Sequence, residues 1–172
     1  MNSVTVSRAI EAPVDAVWAP WEDFGNVYNW HPFVSRSRIV GKDGQKTGVG
    51  ARRQCDLSDG KNWVREEIIG FEPGRELKVE VYEGTMPLKS ALATVRFAAL
   101  SGNRTRVELR MDFQPKFGVV GRLMAPMMKR QFRSMFTQLL EASEHEARKS
   151  TLTSESDVAD VVPDSVPLGA SS

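Results

Sequence analysis

The stretch ARRQCDLSDGKNWVREEIIGFEPGRELKVEV, residues 51–81, decides the fold. Asp59-Gly60 is a two-residue hairpin signal, and it fixes which residues of the two flanking strands lie opposite each other. Opposed residue numbers then sum to a constant: Ser58 faces Lys61, Cys55 faces Val64, Arg53 faces Glu66, Arg52 faces Glu67 and Ala51 faces Ile68. One face collects Ala51, Arg53, Cys55, Val64, Glu66 and Ile68, and this is the inner face, with an Arg/Glu pair set among apolar neighbours. The other face collects Arg52, Gln54, Asp56, Trp63, Arg65 and Glu67 and reads as solvated. Glu72-Pro73-Gly74-Arg75 supplies the next turn, after which Leu77, Val79 and Val81 extend the inner face.

Working outward, the same period of two recurs on both sides. Val4, Val6 and Ile10 alternate with Ser3, Thr5, Ser7 and Ala9, with Arg8 breaking the apolar parity. Phe33 to Val40 reads as a further strand. Ala91, Ala93, Val95 and Phe97 meet Val107, Leu109, Met111 and Phe113 across the turn SGNR. Between the first two strands, PVDAVWAPWEDFGNVYNW carries Val14, Val17, Trp18 and Trp21 at helical spacing, and Pro20 and Gly25 are expected to break it into two short pieces. From about Val119 to Lys149 a single long helical pattern runs through Val120, Met124, Met128, Met135, Phe136, Leu139 and Leu140, with a kink expected at Pro126.

A long antiparallel sheet presents one apolar face, and one helix laid across it covers only part of that face. The uncovered remainder predicts a pocket. Ala91 and Ala93 add to that expectation, because two small side chains on an inner face leave volume that the helix or a ligand must fill. At 172 residues the chain suits one core, expected over residues 1–149, and the remainder, 150–172, reads as a disordered acidic tail from its Ser, Asp and Pro content.

A formal net charge of +1 gives no global attraction to nucleic acid, so none is expected as a partner. The single Cys55 cannot form an intramolecular disulfide, and Met1 to Arg8 lacks the apolar core of a signal peptide, so a cytoplasmic location is expected. No apolar run approaches the roughly 18–20 residues that span a bilayer. The loop GKDGQKTGVG is no phosphate loop, since Gln45 stands before Lys46-Thr47 and a strand follows. Two histidines and one cysteine, far apart in sequence, form no metal-ligand cluster, and no motif asks for a cofactor. Lys116, Arg122, Lys129, Arg130 and Arg133 occur with no acidic residue between Phe113 and Leu140. They read first as a solvated helix face, second as a membrane or acidic-partner contact, onto which the acidic tail itself could fold.

With these elements placed, the chain resembles the START-related polyketide cyclase/dehydrase and lipid-transfer superfamily (SRPBCC). The resemblance rests on IEAPVDAVW, FGNVYNWHPFV, the strand start VGARR, EEIIGFEPGRELKVEV, the loop TMPLK, the terminal strand RVELRMDFQP and the closing helix, and spans about residues 3–147. It implies an α+β helix-grip fold, a seven-stranded curved antiparallel sheet around a long C-terminal helix with two short helices. It also implies a cavity for apolar molecules, with only some members acting as catalysts.

The expected function is binding of an apolar or aromatic small molecule, lipid or polyketide-like, as carrier or sensor. The alternatives are a cyclase/dehydratase acting on a ligand carbonyl and an accessory partner-binding domain with a filled core. Tyr28, Trp30, Ala91, Ala93, Met111, Met124, Met128 and Met135 are the candidate ligand-lining residues. For catalysis the available set is His31, which the resemblance places at the pocket mouth, with Arg53 and Glu66. Against this stand a structural ion pair and a packed histidine. Cys55, facing inward among apolar groups, is expected to be inert. The oligomeric state is not legible.

Overall fold

The computed structural model describes the backbone of residues 1–41 and 43–159, and the side chains of all these except 122 and 153–159. Seven strands, β1 (Asn2–Ile10), β2 (Val34–Ile39), β3 (Arg52–Leu57), β4 (Trp63–Glu72), β5 (Glu76–Gly84), β6 (Leu88–Leu100) and β7 (Arg104–Pro115), form one antiparallel sheet. Its spatial order is β1-β7-β6-β5-β4-β3-β2, a meander whose first strand closes against the last. Helix α1 (Val14–Glu22) and a 3₁₀ helix (Phe24–Asn29) join β1 to β2, and the long α2 (Gly118–Ala159) follows β7. Register shifts at Val34/Arg36, Arg65/Glu66, Ile68/Gly70 and Leu88/Ser90 are bulges, which bend strands and give the sheet its curve. Gly70 suits its bulge because a Cβ there would stand 2.9 Å from Cδ of Lys78.

The expected β3–β4 register is found: Arg52 pairs with Glu67, Arg53 with Glu66 and Cys55 with Val64. The connection itself is wider than two residues. Leu57 N–H donates to Asn62 O at 2.8 Å, and the Asp59 carboxylate accepts from the amides of Lys61 and Asn62. Widening a hairpin loop symmetrically leaves the residue-number sum unchanged, so the register survives the different turn.

One local break falls elsewhere than the sequence suggests. Pro20 lies inside α1, in its last turn, and the helix ends at Asp23 instead. Pro126 lies inside α2. Helix α2 also runs ten residues past Lys149, to Ala159, so the first part of the expected tail is helical, while residues 160–172 lie outside the described residues. Its packing on the body stops sooner, Ala147 being the last fully buried side chain described.

Helix α2 is tied to the β1 side of the sheet. Arg8, the residue that breaks the alternation of β1, donates from Nε to Glu144 Oε2 at 2.5 Å and pairs with Glu141 at 3.5 Å. Trp21 of α1 donates Nε1–H to the buried Ser143 hydroxyl at 2.9 Å. Phe136, Leu139 and Leu140 pack into the main core with Val4, Ile10, Val17, Phe24, Leu109 and Phe113. Clamped at that side, the helix leaves space over the middle of the sheet.

Candidate functional site

The floor of that space is set by strand register. Across the inner face one row runs Arg53, Glu66, Val81, Ala91 and Phe113, and the next runs Val79, Ala93 and Met111. Ala91 and Ala93 fall at the centre of the floor, where their small side chains leave room. Two adjoining spaces of about 120 and 100 Å³ result. They share His31, Arg53, Glu66, Met111, Phe136 and Leu139 as walls. The larger is completed by Cys55, Met86, Ala91, Phe132 and Met135 among others, and the smaller by Trp21, Phe24, Trp30, Val79, Ala93 and Leu109. An outer vestibule of about 270 Å³, between the β3–β4 loop and α2 at Gln131, shares Phe33, Leu57, Met86 and Met135 with the larger space.

Three polar residues converge on this apolar lining. Arg53 donates from Nε to Glu66 Oε2 at 2.7 Å and from Nη1 to the Phe24 carbonyl at 2.7 Å, and its guanidinium lies 3.9 Å from the Phe24 ring centroid. Their side chains are only 11% and 17% exposed, so the pair is held largely away from water. Burial opposes the charge on Arg53, but the Glu66 carboxylate and the Cys55 sulfur together outweigh it, and the guanidinium keeps its proton more firmly than an exposed arginine. Cys55 donates its thiol to Glu66 Oε2 at 3.7 Å. Burial first, and the Glu66 charge second, push that thiol up to about 12, so it stays protonated and unreactive.

His31 follows the 3₁₀ helix, where its N–H donates to Val27 O at 2.9 Å and its Nδ1 accepts the Phe33 N–H at 3.2 Å. The neutral ring therefore carries its proton on Nε2, as a donor. Burial first, and the positive Arg53 second, pull its pKa down from 6.5 to about 4, with Glu66 acting the other way. Such a ring does not change charge near neutral pH. His31 can donate a hydrogen bond but is not an imidazolium at pH 7.

The structure sorts the other candidates. Trp30, Ala91, Ala93, Met111 and Met135 line the spaces. Met128 is buried in the core without lining either. Met124 and Tyr28 are turned outward, 36% and 43% exposed, and line neither. For Met124 the reason is that the first turns of α2 are apolar around most of their circumference, so spacing alone does not say which methionines face the sheet. Sequence reasoning missed Phe33, Met86, Phe132 and Phe136 as walls. The Phe132 and Phe136 rings are stacked 5.7 Å apart, and their spacing of four on α2 was the available signal. Among the described residues no cluster of three metal-ligating side chains occurs.

A seven-stranded sheet gripping one long helix around an apolar cavity defines a class of ligand-binding folds, and comparison with known proteins agrees. The family described as polyketide cyclase / dehydrase and lipid transport matches residues 1–147, and the chain belongs to it. No curated protein matches the sequence. Among solved structures the chain is similar to a START superfamily protein from Mycobacterium smegmatis (16% identity, 86% of this chain and 97% of that one, TM-score 0.70). It is also similar to XoxI from Bacillus cereus (19% identity, 84% and 94%, TM-score 0.70) and to truncated norcoclaurine synthase from Thalictrum flavum (15% identity, 83% and 91%, TM-score 0.65). At such identities the shared property is the fold, the expected helix-grip.

Proposed function

We propose that this protein is a cytosolic carrier or sensor for a small apolar or aromatic molecule bearing one polar group. The observation that supports this is the Arg53–Glu66–His31 cluster set into the wall of an otherwise apolar cavity. Apolar lining with a few convergent polar groups is how small-molecule sites combine affinity with orientation. Each space is close to the scale of a single aromatic ring, since a cavity of roughly 150 Å³ takes benzene. A larger lipid or polyketide-like ligand needs the unbranched side chains of Met86, Met111 and Met135 to move, which thioethers do at low cost. Because Glu66 already neutralises Arg53, a neutral carbonyl or hydroxyl suits the cluster better than a free carboxylate.

Titration with an environment-sensitive apolar dye tests this reading. Saturation near one site per chain is expected. Ala93→Leu, which fills the floor, should weaken binding at least tenfold and raise thermal stability. No dye uptake by the wild-type protein, with Ala93→Leu merely stabilising, would show a filled core and refute the proposal.

A second reading, cyclase or dehydratase, draws on the same convergence and on the family description. With its pKa near 4, His31 would serve there as a neutral donor to a ligand carbonyl. Products formed from candidate polyketide substrates, followed by mass spectrometry, should then fall about 10²–10³-fold in His31→Ala.

A further inference from the structure

The first turns of α2 carry a surface that the cavity does not account for. Phe117, Val119, Val120, Leu123 and Met127 are 60–78% exposed. At 100° per residue, Val119, Leu123, Met127 and Val120 fall within an arc of about 100°, opposite the arc of Gly121, Ala125, Met128 and Phe132 that faces the protein. Phe117 adds an independent sign. Its φ of 70° is a conformation that a bulky side chain seldom adopts, and it presents the ring to solvent at the helix start.

Charge surrounds this apolar strip. Lys116, Lys129, Arg130 and Arg133 border it, and no Asp or Glu occurs between Asp112 and Glu141. Among the described residues none of these four pairs with a carboxylate. Lys89 joins Lys116 and Phe117 in lining an adjoining open recess with Met1. Glu83, which lines a neighbouring recess with Lys89 and Lys116, is paired with Arg65 at 2.6 Å.

We propose that this face docks on an anionic lipid membrane, with the Phe117–Met127 strip inserted at the headgroup boundary and the basic residues on the phosphate layer. An apolar helix face bordered by lysine and arginine is the pattern of interfacial helices. A second copy fits poorly. The strip is about 13 Å long and 10 Å wide, far below the roughly 800 Å² per partner of a stable interface, and self-pairing would set like charges together. Docking here would also bring the vestibule at Gln131 and Met135, on the same helix, close to the lipid. The inference rests on the surface and stands whatever the cavity holds.

Co-sedimentation of the full chain with vesicles tests it, using phosphatidylcholine alone and phosphatidylcholine with roughly one lipid in three phosphatidylserine. Binding is expected only to the anionic vesicles and should weaken with added salt. Each basic residue near such a surface is worth about fivefold, so replacing Lys129, Arg130 and Arg133 with Gln should lower partitioning roughly 100-fold. Phe117→Ser with Leu123→Ser should lower it at least tenfold, with dye uptake by the cavity and thermal stability unchanged. No sedimentation of the wild-type chain would overturn the proposal, as would anionic binding indifferent to both variants. A concentration-dependent dimer abolished by the two serines, without vesicle binding, would reassign the face to self-association and overturn it too.

Discussion

Replacing Glu66 with Leu removes the counter-charge of an arginine that is 11% exposed while leaving its other contacts in place. Arg53 would keep the Phe24 carbonyl and ring, but neither neutralises it, and breaking one side of a buried ion pair costs about 3–5 kcal/mol. The converse change, Arg53→Met, strands the Glu66 carboxylate with only the weak Cys55 thiol donor, at a similar cost. Making both changes removes both charges together. What remains is an unpaired Phe24 carbonyl, worth about 1–3 kcal/mol, and a lost cation–π contact of about 1–2 kcal/mol. The double variant should therefore be no worse than either single one, and the coupling energy should reach at least about 3 kcal/mol. Urea unfolding followed by tryptophan fluorescence measures all four proteins, provided that the slopes agree. Coupling within about 0.5 kcal/mol of zero would mean that water already screens the pair, and the account of a dry polar cluster in the cavity wall would fall.

Other consequences are more local. His31, at about 4 in the folded protein against 6.5 unfolded, takes up protons more readily when unfolded, so its contribution is intact above pH 6.5 and is lost as pH falls from 6.5 toward 4. Wild type should lose roughly 2–3 kcal/mol across that window that His31→Gln does not, and matching pH profiles would refute the assignment. Ser143→Ala strands the Trp21 indole N–H and should cost about 1–3 kcal/mol by denaturant unfolding, whereas a change below a few tenths would show that this contact does not hold α1 to α2. A Cβ at position 121 would collide with the Lys116 carbonyl, so Gly121→Ala should displace the start of α2 and lower the melting temperature by several degrees. Deleting residues 160–172 should leave the melting temperature within about a degree, as their Ser, Asp and Pro content implies, and a larger fall would show that they dock.

Much of the site's framework was legible in the chain because a strand has a period of two. Once Asp59-Gly60 fixed where the chain reverses, arithmetic placed Arg53 against Glu66 on the inner face, and a loop of a different length with the same symmetry left that result standing. Ala91 and Ala93 marked the cavity floor by the same reasoning. The sequence by itself therefore determined the sheet, its inner face, the buried ion pair and the need for a helix to cover them. Only the tertiary structure decided what depends on two elements meeting. Met124 and Met135, eleven residues and so only about 20° apart around the helix, share one face, and position along α2, held by the clamp of Arg8 and Trp21 on Glu144 and Ser143, sets Met135 over the cavity and leaves Met124 at solvent. The ionisation of His31 was likewise beyond local reading, because its shift comes from burial beside an arginine 22 positions away in sequence. Periodicity is a property of one segment, whereas solvation, charge neighbours and residual volume belong to the assembled whole.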